Sequence, residues 1–161
     1  MKLQFGCKSI DTLLNGGVEE GILTAIYGEG GCGKTNLCLQ LAKNAVKNGK
    51  SAIYIDTEGV SIERLKQICG DEFDHISKKI LFYKPYSLSE QDIAIDKAIQ
   101  IIDSTGNVGL VVLDSGNVFY RATLGSEQEM ESMRFFSQQI IKLLTVARKK
   151  NIPVVVTSQV Y

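Results

Sequence analysis

Residues 28–35 read GEGGCGKT and match the pattern G-x-x-x-x-G-K-[ST] at every required position. An apolar, partly β-branched run precedes them at residues 22–27, and apolar residues at helical spacing follow at residues 34–47. Glycines let the main chain wrap around an anion with its N–H groups pointing inward, and the unpaired N–H groups of a helix start add positive character. The pattern therefore predicts a strand, a phosphate-binding loop and a helix, rather than an ordinary glycine-rich turn.

Two side chains of this loop carry the expected chemistry. The Lys34 ammonium is expected to reach the β- and γ-phosphates of a nucleoside triphosphate, and the Thr35 hydroxyl is expected to bind Mg²⁺. Cys32 is interpreted as a residue that fills space, with a redox-sensitive thiol as the alternative because a helix N-terminus favours the thiolate. We expect ATP with Mg²⁺ as the ligand, held by Gly28, Glu29, Gly30, Gly31, Cys32, Gly33, Lys34, Thr35 and Asn36.

Strand-like and helix-like segments alternate along the rest of the chain. Short apolar runs predict further strands at residues 51–56, 80–83, 109–114 and 153–158. Apolar residues at helical spacing predict helices at residues 62–69, from Ser89 onward and at about residues 127–150. This order predicts a single α/β domain over residues 1–161, with a mainly parallel sheet covered by helices on both faces. Ligands of such sheets bind beyond the carboxyl ends of the strands.

The two longer of these later helices have recognisable ends and faces. Ser89, followed three positions later by Asp92, predicts the start of the first as a variant of the capping box. Its expected buried stripe is Ile95, Ala98, Ile99 and Ile102. The second is expected to turn inward the side chains of Met130, Met133, Phe136, Ile140, Leu144 and Ala147.

Polar residues stand where three of the predicted strands end. Asp114 is expected to anchor Mg²⁺ through water, with an aspartate that starts a turn as the alternative. Asp56 and Glu58 could polarise a water for attack on the γ-phosphate, or could form a solvated turn. Gln159 stands where an amide could sense the γ-phosphate and relay its loss to the next segment.

The charge and cysteine patterns limit the other function classes. The formal net charge is zero, so any contact with nucleic acid has to come from a local patch. The four cysteines show no C-x-x-C spacing and are interpreted as small buried thiols rather than zinc ligands or disulfides. The chain start has no apolar signal core, and no apolar run reaches transmembrane length. We therefore expect a cytoplasmic protein without a membrane partner.

Four stretches resemble the recombinase family that includes archaeal RadA and bacterial RecA. They are the lead-in GCKSIDTLLNGG at residues 6–17, EGILTAIYGE at residues 20–29, YIDTEG with ERL at residues 54–65, and a final set of DS, YR and TSQV between residues 114 and 160. The resemblance implies a RecA-like P-loop NTPase fold. It implies Glu58 as the catalytic base and Gln159 as the γ-phosphate sensor, and we expect both to act in catalysis together with Lys34 of the loop.

The resemblance also implies further contacts. Asp114 and Thr35 would hold Mg²⁺, and the guanidinium of Arg64 would stack on the adenine ring. Tyr120 and Arg121 would belong to a DNA-binding loop. That loop region, residues 115–134, offers as cations only Arg121 and Arg134 beside Glu127, Glu129 and Glu131, so modest binding of single-stranded DNA is expected.

The departures from RadA make the chain similar to RadB, the shorter archaeal branch of the family. The lead-in starts at residue 6, so the amino-terminal DNA-binding domain and docking linker of RadA are expected to be absent. The second DNA loop and the last strands of the family have no residues in this sequence, so either the sequence is a fragment of a longer protein or these elements are absent. Residues 59–62 are shorter than the RadA pattern, and Asn36 replaces the usual glutamine.

This resemblance implies an ATP-binding, DNA-binding protein of homologous recombination and DNA repair, with weak ATPase activity. Its partners would be single-stranded DNA and a main recombinase of the RadA type, which it would regulate, and it could form homo-oligomers. One alternative is a nucleotide-gated interaction module without significant hydrolysis. Another is a different ATPase on the same core, such as a clock-type or MinD-like ATPase, although Glu29 stands at the signature lysine position of the MinD-like group.

Overall fold

The computed structural model describes residues 1–160 of the chain. Its elements in chain order are β1 (Lys2–Leu3), α1 (Lys8–Leu13), β2 (Val18–Glu19), β3 (Leu23–Gly28), α2 (Lys34–Lys47), β4 (Ser51–Asp56), α3 (Ile62–Cys69), a 3₁₀ turn (Gly70–Glu72), α4 (Phe73–Ser77), β5 (Ile80–Tyr83), α5 (Leu88–Thr105), β6 (Val108–Asp114), α6 (Val118–Arg121), α7 (Glu129–Lys150) and β7 (Val154–Gln159).

Five strands form one parallel sheet in the order β3-β7-β6-β4-β5. Its register pairs Asp56 with Asp114 and Gly28 with Gln159. Because the strands are parallel, their carboxyl ends meet at one edge of the sheet. The predicted α/β P-loop NTPase fold, with its RecA-like parallel sheet, is confirmed.

Helices cover both faces of this sheet. Alternate residues of a strand point to opposite faces, so Tyr54 packs with the α2 side and Ile55 with the α5 and α7 side. Each face has its own apolar cluster, and full burial of one such aliphatic side chain contributes about 1.5–3 kcal/mol. The central strands β4 and β6 are buried on both faces, which explains their near-continuous apolar sequences.

A small antiparallel pair, β1 with β2, lies outside the main sheet and was not predicted. The Asp11 carboxylate holds the segment between them by accepting the N–H groups of Phe5 at 2.7 Å and Gly6 at 3.0 Å. Gly17 has φ 115°, and a Cβ there would overlap the Leu3 carbonyl oxygen. Only glycine fits this close approach of two main chains.

The predicted start of the α5 helix is wrong by two residues. The N-cap is Ser87, whose Oγ accepts the Glu90 N–H at 3.1 Å, while the Glu90 carboxylate accepts the Tyr86 N–H at 2.7 Å. These bonds form a capping box from Ser87 and Glu90, two residues before the predicted one. Asp92 instead accepts from Lys142 Nζ on α7 at 2.9 Å.

The predicted inner face of α7 is wrong in its first half. Met130 and Met133 are 60% and 43% exposed. The first turns of this helix lie beside α6 rather than over the sheet, and Phe136 stacks on Tyr120 there. The buried residues of the helix are Gln139, Leu143, Val146 and Ala147.

The four cysteines divide into two groups. Cys38 and Cys69 are buried in the core, as expected, whereas Cys7 and Cys32 are exposed. Cys7 directly precedes α1 and Cys32 lies in the loop between β3 and α2, so both belong to surface segments. Within residues 1–160, none of the helices combines the length and hydropathy needed to cross a bilayer.

Candidate nucleotide-binding site

The loop between β3 and α2 borders a cavity of about 220 Å³ at the carboxyl edge of the sheet. Three side chains predicted to act in catalysis, Lys34, Glu58 and Gln159, line this same cavity. They come from the start of α2, the turn after β4 and the end of β7. The other lining residues are Gly30, Gly31, Gly33, Thr35 and Asn36.

The main chain of the loop fits a bound anion. Gly31 and Gly33 have φ of 77° and 96°, in the left-handed region that favours glycine. Gly33 is the N-cap of α2 and offers no side-chain acceptor to its first turn. Since the first N–H groups of a helix have no partner within the helix, they remain available to phosphate oxygens.

Lys34 is buried within the loop that it follows. Its Nζ donates to the carbonyl oxygens of Gly28 at 2.9 Å and Glu29 at 2.7 Å, and to Cys32 Sγ at 3.6 Å. These acceptors are uncharged, and the ammonium makes a stronger hydrogen bond with a charged phosphate oxygen. The loop therefore keeps the Lys34 ammonium at the cavity without pairing it with a carboxylate.

Asp114 is 1% exposed at the end of β6 and has a hydroxyl donor on each oxygen. Tyr54 donates to Oδ2 at 2.6 Å and Thr157 donates to Oδ1 at 2.6 Å. Burial raises the pKa of Tyr54 well above its ordinary value, and the nearby Asp114 carboxylate raises it further. Tyr54 is therefore a proton donor throughout the physiological pH range.

Of the two residues predicted to hold Mg²⁺, Thr35 lines the cavity, whereas the buried Asp114 is not among its lining residues. The Thr35 hydroxyl and the Asp114 carboxylate are oxygen ligands, which this ion prefers. A carboxylate has about four lone-pair sites, so two remain on Asp114 for waters of a bound ion. Tyr54 and Thr157 were missed at the sequence level, because nothing in the chain order places β4 and β7 on either side of β6.

The turn after β4 presents Glu58 to the cavity. Asp56 is buried and accepts the N–H groups of Gly59 at 2.8 Å and Val60 at 2.7 Å, so it shapes the turn rather than reaching the cavity. Thr57 ties the turn to the end of β6, since its Oγ1 both donates to Ser115 O and accepts from Ser115 N at 2.8 Å. Of the two acids, the structure thus leaves Glu58 as the one on the cavity wall.

The surroundings of Glu58 raise the pKa of its carboxyl group. Partial burial raises the pKa of its carboxyl group, and the charge of Asp114 raises it further. Lys34 and Arg121 act in the opposite direction. A carboxylate with a raised pKa is a stronger base than an ordinary surface glutamate.

Gln159 lies between the phosphate loop and the segment that follows β6. Its register partner in β3 is Gly28, and the next N–H, that of Val160, donates to Gly28 O at 3.1 Å. On the other side, Arg121 Nη1 donates to Gln159 O at 3.0 Å, and Asn117 contacts both main-chain polar atoms of Gln159. A second cavity of about 270 Å³ is lined there by Glu58, Asn117, Val118, Arg121, Ala122 and Gln159.

Arg64 and Tyr120 are not brought to either cavity. Arg64 lies on the exposed side of α3, and its Nη1 donates to Gln67 Oε1 at 2.9 Å. Tyr120 stacks on Phe136 with ring centroids 5.8 Å apart and the planes 6° from parallel. Arg121, grouped with Tyr120 as a DNA contact, reaches Gln159 instead. Adenine stacking by Arg64 and DNA contact by Tyr120 and Arg121 stay predictions.

Comparisons with known proteins agree on one family. A sequence model described as Rad51 matches residues 1–161. A "DNA repair and recombination protein RadB" of Methanococcoides burtonii is 47% identical over 161 residues, which cover 99% of this chain and 71% of the relative. Proteins of the same name from Archaeoglobus fulgidus and Thermoplasma acidophilum are 43% and 41% identical over 162 and 160 residues. These alignments cover 100% and 99% of this chain and 72% and 68% of the relatives.

Proposed function

This chain belongs to the Rad51 family, and from that premise we propose that it is an ATP-binding, DNA-binding protein of homologous recombination and DNA repair with slow Mg²⁺-dependent ATP hydrolysis. The resemblance to RadA and RecA, and to their RadB branch, is confirmed by the family match and the RadB relatives. The proposal rests on the observation that Lys34, Glu58 and Gln159 all line the same cavity.

Binding of the triphosphate would use the loop and the start of α2. The N–H groups of residues 30–36 would surround the phosphates, and the Lys34 ammonium would exchange its carbonyl partners for phosphate oxygens. Thr35 and Asp114 would hold Mg²⁺, which when bound neutralises charge on the phosphate oxygens. Tyr54 and Thr157 would keep the Asp114 carboxylate in one orientation.

Hydrolysis would use Glu58 as the general base. Its carboxylate would accept a proton from water as the water oxygen attacks the γ-phosphorus and the bond to the β-phosphate oxygen breaks, leaving ADP and phosphate. The raised pKa of Glu58 supports this role, because an effective base has a pKa close to the working pH. Asp56, which holds the turn through Gly59 and Val60, would keep Glu58 on the cavity wall.

Contact with DNA would be modest. Residues 115–134 contain the cations Arg121 and Arg134 beside three glutamates, and the formal net charge of the chain is zero. Few phosphate contacts mean weak, salt-sensitive binding. We therefore infer that this protein is not the main one that coats single-stranded DNA. It would act beside a main recombinase of the RadA type and regulate that recombinase.

A second candidate function is a nucleotide-gated interaction module that binds ATP without significant turnover. The short turn after Glu58 favours it, because fewer residues are available there to enclose the attacking water. Membership of the Rad51 family argues against the MinD-like alternative.

Phosphate release under multiple-turnover conditions, with and without single-stranded DNA across a salt series, tests the proposal. We expect slow phosphate release that single-stranded DNA stimulates at low salt. The logarithm of the apparent DNA-binding constant should fall with the logarithm of the salt concentration, with a slope of about −0.7 for each phosphate contact. Release that is unaffected by DNA at every salt concentration would contradict the DNA-binding part. No release above the no-protein control, together with measurable ATP binding, would favour the interaction module.

A further inference from the structure

The last residue of β7 extends beyond the strand beside it. The pairing of β6 with β7 runs to Leu113 and Val156, and β6 ends at Asp114, whereas β7 continues to Gln159. In a parallel sheet, the N–H and C=O groups of one residue face the same neighbouring strand, and those of the next residue face the strand on the other side. The Val160 N–H donates to β3, so the N–H and C=O of Gln159 face the side where β6 has already ended.

Beyond the end of β6, the side chain of Asn117 takes the position that a further β6 residue would have beside Gln159. Its Nδ2 donates to Gln159 O at 3.2 Å, and its Oδ1 accepts from Gln159 N at 3.3 Å. A carboxamide has the same donor and acceptor pair as a peptide group, so one asparagine continues the sheet pairing by one residue. It satisfies both main-chain groups of Gln159 at once.

The orientation of this amide follows from its partners. Ser115 Oγ lies 3.0 Å from Asn117 Oδ1 and donates to it. The Gln159 N–H faces the same oxygen and can only donate. An amide with its oxygen and nitrogen exchanged would place donor against donor at Gln159 N.

We propose that Asn117 is a positioning residue that acts through Gln159. It holds the Gln159 main chain so that the side chain lies on Gly30 of the phosphate loop, where an added Cβ would be 2.7 Å from Gln159 Nε2. This inference rests on the proposed role of Gln159 in turnover. Arg121 also donates to Gln159 O, but a guanidinium cannot accept the Gln159 N–H.

Amide hydrogen exchange in the nucleotide-free protein tests the contact without any activity measurement. In Asn117→Ala, we expect the Gln159 amide to exchange about 3- to 10-fold faster, as loss of one hydrogen bond implies, while the Val156 amide within the paired part of β7 is unchanged. Asn107→Ala, which alters an asparagine at the opposite end of β6, is the matched control and should change neither rate. An unchanged Gln159 rate in Asn117→Ala would overturn the proposal.

A double-mutant cycle tests the action through Gln159. We expect Asn117→Ala to lower kcat about tenfold, to change the Kd for MgATP less than about threefold, and to have no further effect in a Gln159→Ala background. Additive effects would overturn the positioning role. Thermal melting identifies a variant that fails to fold, and Asn117→Ser, too short to span both atoms, then replaces the alanine variant with the same expectations.

The cycle also distinguishes failure of the Asn117 positioning role from failure of the proposed role of Gln159. If Gln159→Ala lowers kcat and Asn117→Ala does not, the positioning role fails and the proposed function stands. If Gln159→Ala leaves kcat unchanged while Lys34→Ala abolishes turnover, the sensor role of Gln159 fails, and the positioning role fails with it.

Discussion

Gln159 Nε2 lies so close to Gly30 that a Cβ added to this glycine would be 2.7 Å from it. The end of β7 therefore lies against the phosphate loop, at the cavity that Gly30 and Gln159 both line. A shift of the loop at Gly30 would therefore displace the Gln159 side chain, and the reverse holds as well. Such coupling is required of a side chain that responds to the state of the nucleotide.

Substitution of Gly30 by alanine tests this contact. Its φ is outside the left-handed region, so alanine brings no backbone strain, and the atom it meets is the end of a flexible side chain. We expect Gly30→Ala to displace the Gln159 amide and so to lower kcat. In a Gln159→Ala background the same substitution should have little effect, and a full additional loss there would contradict the contact.

Lys34 is expected to supply much of the affinity for the triphosphate. Hydrogen bonds to charged groups contribute about 1.5–3 kcal/mol, so Lys34→Ala should weaken MgATP binding about 10- to 100-fold by titration calorimetry. Lys43→Ala is the matched control, because Lys43 lies on the same helix and also donates to a carbonyl oxygen, that of Ile68 at 2.8 Å. Equal affinity of the two variants would contradict the role of Lys34.

Tyr54 is expected to stabilise the fold through Asp114. Tyr54→Phe removes a buried donor from the carboxylate, which should cost about 1–3 kcal/mol of unfolding free energy in a urea titration. Tyr27→Phe is the control, because the Tyr27 side chain is 74% exposed and its change should be neutral. An unfolding free energy for Tyr54→Phe equal to that of the wild type would show that this hydrogen bond does not stabilise the fold.

The pH dependence of turnover should report Glu58. The base works when ionised, so kcat should rise with pH through the pKa of Glu58, and the midpoint should lie above the range of an ordinary glutamate because burial and Asp114 raise it. Arg121 lowers this pKa, so Arg121→Gln should move the midpoint to higher pH. Arg134→Gln, a change of an arginine on α7, should leave the midpoint in place, and a downward shift in Arg121→Gln would contradict the assignment.

The strands could be predicted because buried parallel strands have nearly continuous apolar sequences. The predicted runs at residues 51–56 and 80–83 match β4 and β5 fully, and the other three strands differ by one residue at their ends. The phosphate loop was found in the same way, because its glycines, lysine and threonine are required by local geometry alone. Both features depend on residues that are close together in the chain.

Features that depend on the order of strands could not be predicted. Tyr54 and Thr157 meet Asp114 because β4 and β7 flank β6, an arrangement that the chain order does not contain. The role of Asn117 depends on how far β7 extends beyond β6. Met130 and Met133 were misassigned because helical spacing shows which residues share a face, and not whether the sheet lies under that part of the helix.

The central claim is that this chain hydrolyses ATP with Glu58 as the base, and its most direct test is Glu58→Gln. Phosphate release and MgATP affinity should be measured on the same samples of wild type and variant. We expect the variant to bind MgATP with an affinity within about threefold of the wild type and to lose its turnover by about 10²-fold or more. Turnover that survives in Glu58→Gln at the wild-type rate would show that Glu58 is not the base.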